Sequence, residues 1–234
     1  MLRPSDNYKP NGNVLSAEGR QNYAGYVDSV IKQFSDGLEL LKGEYTTNKC
    51  NPNLAYSNLV MVIDDLDMFA TMTFIDCLIA SKLFILAEED YEKKFLRGKL
   101  QVVLNEGFKK LYGFGKGKAN SKWKKIEAIQ SMLPPFLQTE YIRITNGLEA
   151  ISNSFNWWKE ERNIETHIDA FALYDSRCIE IDESQVMMDS LRLIDVLNEV
   201  QNYTTKVHGC YVNTINLMCL SVNKASQVSQ VKNN

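Results

Sequence analysis

The stretch from Leu59 to Leu86, LVMVIDDLDMFATMTFIDCLIASKLFIL, decides the fold class. It is long enough to cross a membrane, but it carries charged side chains along its length, at Asp64, Asp65, Asp67, Asp76 and Lys82. Charges at that density are costly in a lipid core. The stretch therefore predicts a long, mostly buried helix of a soluble helical bundle, and we expect no membrane partner.

The rest of the chain also favours helix. The prolines are confined to a few places, so that residues 53–133 and everything after Pro135 are proline-free. These stretches are rich in Leu, Ile, Met, Lys and Glu, which are good helix formers. Alternating strand patterns with hairpin turns are nearly absent. We predict an all-α fold, a single bundle of about five to six helices.

The helices are expected over about residues 18–42, 55–88, 89–112, 122–132 and 137–161, with the glycine-rich loop GFGKGKANS before the fourth. The last helix has a clear start at Asp182, with Gln185 at capping-box spacing and the staple pair Ile181 and Val186. We expect Gly209 to loosen or end this helix. The predicted organisation is a flexible arm (1–16), one bundle domain (17–222) and a frayed tail (223–234).

Composition narrows the class of protein. The net charge of -3 argues against a chain built wholly to coat nucleic acid, although it permits a local basic patch. The cysteines number five, an odd count without a C-x-x-C pair, and the N-terminus lacks the apolar core of a signal peptide. We therefore expect reduced thiols and a cytoplasmic location.

No metal and no cofactor are expected. Asp64, Asp65 and Asp67 do not complete the DDxxD pattern of a magnesium site, because Met68 stands at its fifth position. We interpret these acids as capped or paired carboxylates beside a core helix. The run GFGKGK matches neither the P-loop nor the dinucleotide fingerprint, since Ala119 follows Lys118 and Lys118 replaces the third glycine.

A basic segment is the best candidate for a polyanion contact. No acid lies between Gly107 and Ile126, and lysines are interleaved there with Tyr112, Phe114 and Trp123. Lysines attract phosphates, and aromatic rings stack on unpaired bases. The predicted RNA-binding residues are Lys116, Lys118, Lys122, Trp123, Lys124 and Lys125. The alternative is a solvated loop whose aromatic residues are core anchors.

A second candidate site is Arg162, Asn163 and His167. Arginine can hold phosphate oxygens, the amide can orient a group, and the imidazole titrates near neutrality. This set suits RNA cleavage without a metal, in which histidine moves the proton of the attacking 2′-hydroxyl. On an unbroken helix Arg162 and His167 would lie about 140° apart, so they would not share a face.

The segment ERNIETHIDAFALYDSRCIEIDESQVMMDSLRLIDVLNEV, residues 161–200, resembles the signature region of the HEPN superfamily. The family motif is an arginine, four to six residues and a histidine, often with a polar residue after the arginine and a long helix after the motif. Arg162, Asn163 and His167 match it in order, and the helix capped by Asp182 follows. Toxins of the HEPN–nucleotidyltransferase pairs tend to carry a tyrosine two residues after the histidine, where this chain has Asp169.

The resemblance implies an all-α homodimer and, for many members, a metal-independent endoribonuclease in toxin–antitoxin or defence systems. The motifs of two protomers would then form one site, with Arg162 and His167 as the catalytic pair and Asn163 in support. An antitoxin or defence-system partner would also be expected. Two alternatives stay open. One is a non-catalytic helical interaction or scaffold module, in which Arg162 and His167 pair with nearby carboxylates. The other is a small-ligand- or nucleotide-binding bundle, which a large internal pocket would favour.

Overall fold

The computed structural model describes residues 16–50, 54–154 and 182–231. Six helices account for most of these residues: α1 (Ala17–Lys49), α2 (Leu54–Leu86), α3 (Asp90–Leu111), α4 (Lys122–Glu127), α5 (Pro135–Ser154) and α6 (Glu183–Val231). Two 3-10 turns, Gly115–Asn120 and Gln130–Met132, flank α4. Over the described residues no strand occurs. The predicted all-α bundle is confirmed.

Helix α2 is the centre of the bundle. It packs against α1, α3, α4 and α6, and α6 in turn packs against α5. Its stretch from Val60 to Leu86 is the one described helical segment that is apolar and long enough to cross a membrane. The central helix of a helical bundle commonly has the same length and apolar composition. Buried residues such as Ile63, Leu66 and Leu78 form its share of the core.

Local signals explain where several helices begin and end. The side chain of Asp182 accepts a hydrogen bond from the Gln185 amide at 3.1 Å, so the predicted N-cap of α6 is confirmed. The Gln185 side chain turns to Asp189 at 3.0 Å. Ser121 caps α4 in the same way, accepting from the Lys124 amide at 3.2 Å.

The end of α3 depends on a glycine. Gly113 has a φ of 82°, a left-handed conformation that disfavours side chains. Its amide donates to the Phe108 carbonyl at 3.2 Å. A Cβ at Gly113 would also meet the backbone of Gly117 at 2.8 Å. The glycine therefore lets the chain turn sharply from α3 into the following 3-10 turn.

Some expected boundaries differ from the structure. The predicted helix 122–132 is divided into α4 and a 3-10 turn, and the expected glycine-rich loop contains the other 3-10 turn. Gly209 does not end α6, whose backbone is helical to Val231, beyond the expected start of the tail at residue 223. A single glycine weakens a helix by only about 1 kcal/mol, which is too little to stop a long one. The N-terminal arm lies outside the described residues, apart from Ser16.

Candidate functional site

A row of polar side chains joins α2 to α6 within the bundle, and we call it the polar seam. His208 Nε2 lies 2.6 Å from Asp64 Oδ1. The Thr204 hydroxyl donates to Asp67 Oδ1 at 2.8 Å. The Gln201 amide donates to the Thr71 hydroxyl at 2.9 Å. The six residues of the seam are therefore Asp64, Asp67, Thr71, Gln201, Thr204 and His208.

The spacing of these residues produces the seam. On each helix they are separated by three and four positions, which places them on one face. Their order is opposite on the two helices, so the helices run antiparallel. Asp64 is 1% exposed and Asp67 is 8% exposed. A carboxylate buried to that degree needs hydrogen-bond partners, and α6 supplies them.

The three neighbouring acids Asp64, Asp65 and Asp67 of α2 are paired, as the sequence predicted. Asp65 accepts from Lys122 at 2.6 Å, while Asp64 and Asp67 belong to the seam. Within the described part of the chain, no group of three or more His, Cys, Asp or Glu side chains is arranged to hold a metal ion.

The partner of His208 could not be read from the sequence. His208 and Asp64 are 144 residues apart, and its side chain is 25% exposed. The sequence around His208 offers no obvious partner for it. The shared three-and-four spacing of polar residues on the two helices is the signal that could have identified Asp64 as the partner of His208.

In the basic segment, Lys118 is bound within the protein. Its ammonium group lies 2.6 Å from a Glu149 oxygen and 4.8 Å from the centre of the Tyr112 ring. The same Glu149 oxygen accepts the Tyr112 hydroxyl at 2.5 Å. Hydrogen bonds from Lys118 and Tyr112 lower the pKa of Glu149. Burial and, after it, Glu149 raise the pKa of Tyr112. Lys118 therefore anchors the segment to α5.

Lys122 and Trp123 also face other parts of the protein. Lys122 pairs with Asp65 and lies 5.2 Å from the centre of the Phe69 ring. Trp123 is 1% exposed. Its ring stacks on Tyr141 at 4.9 Å, and its indole N–H donates to Thr145 at 2.9 Å. Trp123 is therefore a core anchor in this structure and offers no ring face to a base, as the alternative interpretation of the segment held.

The remaining lysines of the segment differ in their surroundings. Lys124 pairs with Glu127 one turn along α4. Lys125 is exposed, and no ion pair to it is found among the described residues. The backbone of Lys116 belongs to the first 3-10 turn, and its side chain lies outside the description. Of the predicted RNA-contacting lysines that are described, Lys125 is thus the one whose charge faces solvent unopposed.

The second predicted site falls between α5 and α6. Arg162, Asn163 and His167 lie outside the described residues, which resume at Asp182. Their predicted roles stay predictions. The described helices on either side, α5 and α6, pack against each other.

The fold and these contacts define an all-α helical bundle with a buried polar seam. No family model, curated protein or solved structure matches this chain. The resemblance to the HEPN superfamily therefore rests on the short motif around Arg162 and His167.

Proposed function

We propose that this protein is a cytoplasmic, homodimeric RNA-binding protein that cleaves RNA without a metal. Arg162 would hold the scissile phosphate, His167 would transfer the proton, and Asn163 would support them. One structural observation carries the choice of histidine. The sequence has two histidines, and His208 is bound to the buried carboxylate of Asp64. Because His208 already has this partner, we assign the catalytic role to His167.

The proposed reaction needs only these groups and the RNA itself. A neutral imidazole accepts the proton of a 2′-hydroxyl as its oxygen attacks the adjacent phosphorus. The bond from phosphorus to the 5′-oxygen breaks, and that oxygen takes up a proton from a protonated imidazole. The products are a 2′,3′-cyclic phosphate and a 5′-hydroxyl end. The guanidinium group stabilises the charge that builds on the phosphate oxygens.

The basic segment supports a modest RNA contact in this proposal. Lys125 is exposed, whereas Lys118, Lys122 and Lys124 would have to leave carboxylates in order to bind phosphate. We therefore assign the contact first to Lys125. The role proposed for the other lysines is secondary.

An exposed apolar row supports association with a second copy. On α2 it contains Met72, Ile79 and Leu83, which are 50%, 38% and 45% exposed. Their spacing of seven and four places them on one helix face. Phe95 on the neighbouring helix α3 is 43% exposed. Apolar residues gathered on one exposed face are typical of protein contact surfaces.

The test is an RNA-cleavage assay in EDTA with wild type, His167→Ala and Arg162→Ala. Arg143→Ala is a matched arginine control, because Arg143 is half-exposed and pairs with Glu199 on the surface. Size-exclusion chromatography and circular dichroism would first show that all four proteins fold and associate alike. We expect wild type and Arg143→Ala to leave cyclic-phosphate ends and the other two to be inactive. Absence of cleavage by wild type, or equal cleavage by all four, would contradict the proposal.

The second candidate is a non-catalytic interaction module, such as an antitoxin or defence-system partner. The ion pairing of three of the lysines and the exposed apolar row favour it. In that case wild type would bind a protein partner and leave RNA intact. Replacing Ile79 and Leu83 by serine would then abolish partner binding, and in the RNase proposal it would instead dissociate the homodimer.

A further inference from the structure

A groove opens where α1, α2 and α6 meet, beside the polar seam. Its volume is about 280 Å³, close to the lower end of the range of roughly 300–1,000 Å³ for small-molecule sites. Helix α1 supplies a mostly apolar wall, with Phe34 and Leu41 beside the polar Gln33. Helices α2 and α6 supply a polar side from Asp67, Thr71, Gln201 and Thr205. The two sides differ in chemistry, which is the arrangement that orients a small amphipathic ligand.

The polar side contains a buried acceptor whose hydrogen bond is not made. Gln201 is 6% exposed, and its amide nitrogen is used by Thr71. Its carbonyl oxygen is buried and has no hydrogen-bond partner in the structure. A buried acceptor in that state is unfavourable, so a donor supplied by a ligand would stabilise it.

Asp67 adds negative charge to the same side of the groove. It is 8% exposed and already accepts the Thr204 hydroxyl. A carboxylate has two oxygens and accepts several hydrogen bonds, so further donors can share it. The Asp67 carboxylate and the Gln201 amide carbonyl are both hydrogen-bond acceptors. The groove therefore favours a ligand that carries donors and positive charge.

The apolar wall has space because of a glycine. Gly37 lines the groove, and a Cβ built there would meet no atom within 4 Å. The adjacent Phe34 ring is fixed against Phe74 with ring centres 4.8 Å apart. The wall therefore presents a supported aromatic face beside open volume, which suits an aromatic or alkyl body.

We propose that this groove is a binding site for a small organic ammonium ion with an apolar body, of the arylalkylamine class. The ammonium group would donate to Gln201 and Asp67, and the apolar body would lie against Phe34 and Leu41. The site is independent of the proposed RNA cleavage and of the residues assigned to it.

The probes are three molecules of similar size: 2-phenylethylamine, 2-phenylethanol and 3-phenylpropionate. At neutral pH they are cationic, neutral and anionic. Binding to the full chain would be measured by isothermal titration calorimetry and by ligand-observed NMR. We expect the amine to bind about tenfold more tightly than the alcohol, because its bonds to the acceptors are charge-assisted. The anion should bind most weakly.

Two α1 variants locate the site. Gly37→Leu fills the groove, and we expect at least a tenfold loss of amine binding. Gly25→Leu is the matched control, because Gly25 is exposed on the same helix and also has nothing within 4 Å of an added Cβ. Amine binding by Gly25→Leu should equal that of wild type.

A third variant keeps the proposal testable if Gly37→Leu does not fold. Asp67→Asn retains an oxygen for Thr204 and removes the charge, so the preference for amine over alcohol should disappear. The site is supported if wild type binds the amine, Gly37→Leu loses that binding, and Asp67→Asn loses the preference for amine over alcohol. No binding at millimolar amine, equal binding of all three probes, or unchanged binding by Gly37→Leu would overturn it, and the groove would then hold water only.

Discussion

The close approach of α2 and α3 predicts that Gly107→Ala is destabilising. In an open helical position this change should stabilise the protein by about 1 kcal/mol, since alanine has the higher helix propensity. At Gly107, however, a Cβ would lie 2.5 Å from Cγ2 of Thr73. Thr73 is 6% exposed and branched at Cβ, so it has little freedom to move away. Overpacking of this kind costs about 1–3 kcal/mol. We expect a net loss of about 1 kcal/mol.

A second substitution should reverse the sign of the stability change caused by Gly107→Ala. Thr73→Ser removes the methyl group that the new Cβ would meet. In that background Gly107→Ala should stabilise the protein by about 1 kcal/mol, which gives a coupling of about 2 kcal/mol between the two positions. Gly147→Ala on α5 is the open-space control, because nothing lies within 4 Å of an added Cβ there. It should be stabilising by about 1 kcal/mol in either background.

The assay is urea unfolding followed by circular dichroism, with the free energy of unfolding compared across the double-mutant cycle. A Gly107→Ala protein as stable as wild type, or a change of the same size in both backgrounds, would show that the two helices do not meet through this contact.

Three further predictions concern buried side chains. Trp123→Phe should lower the free energy of unfolding by about 1–2 kcal/mol, because the hydrogen bond to Thr145 and part of the ring are lost. The RNA affinity of this variant, measured by filter binding, should equal that of wild type. A selective loss of RNA affinity would instead indicate that Trp123 stacks on a base. Burial raises the pKa of Asp189 above its usual 3.8. The carboxyl group therefore binds its proton more tightly in the folded protein than in the unfolded chain, and the free energy of unfolding falls as the pH rises from 3.8 through the raised pKa. Asp189→Asn should therefore gain stability relative to wild type between acidic and neutral pH, and a constant difference in urea unfolding would contradict this. Burial also raises the pKa of the Cys77 thiol, whereas Cys50 is exposed. In a thiol-labelling experiment, Cys50→Ser should therefore lose a fast phase that Cys77→Ser keeps. The opposite result would place Cys77 at the surface.

Local sequence signals predicted the helical class of the fold and the start of α6, but not every helix boundary. The all-α fold follows from helix propensity and the lack of strand patterns, and the start of α6 from the side chain of Asp182. A cap acts within one turn, so it can be read from adjacent residues. The expected end at Gly209 was wrong, because one glycine weakens a helix by only about 1 kcal/mol and the backbone of α6 stays helical to Val231.

The contacts between distant helices were harder to predict. Pairing of the α2 acids was expected, but the identity of their partners was not, since Asp64 and His208 are 144 residues apart. Burial of Trp123 depends on where α5 and α6 pack, and its neighbours Tyr141 and Tyr203 lie on those helices. Charge in the basic segment was visible in the sequence, whereas its neutralisation by Asp65 and Glu149 requires the fold.

The polar seam also has a consequence for synthesis of the chain. Its three pairs join residues 130, 137 and 144 positions apart, so α2 is made long before its partners on α6. Contacts of such long range form slowly. Until Gln201, Thr204 and His208 leave the ribosome, the nascent chain carries Asp64 and Asp67 on an apolar helix without the groups that match them in the folded protein. The buried acids of α2 can therefore find their partners only after α6 has been synthesised.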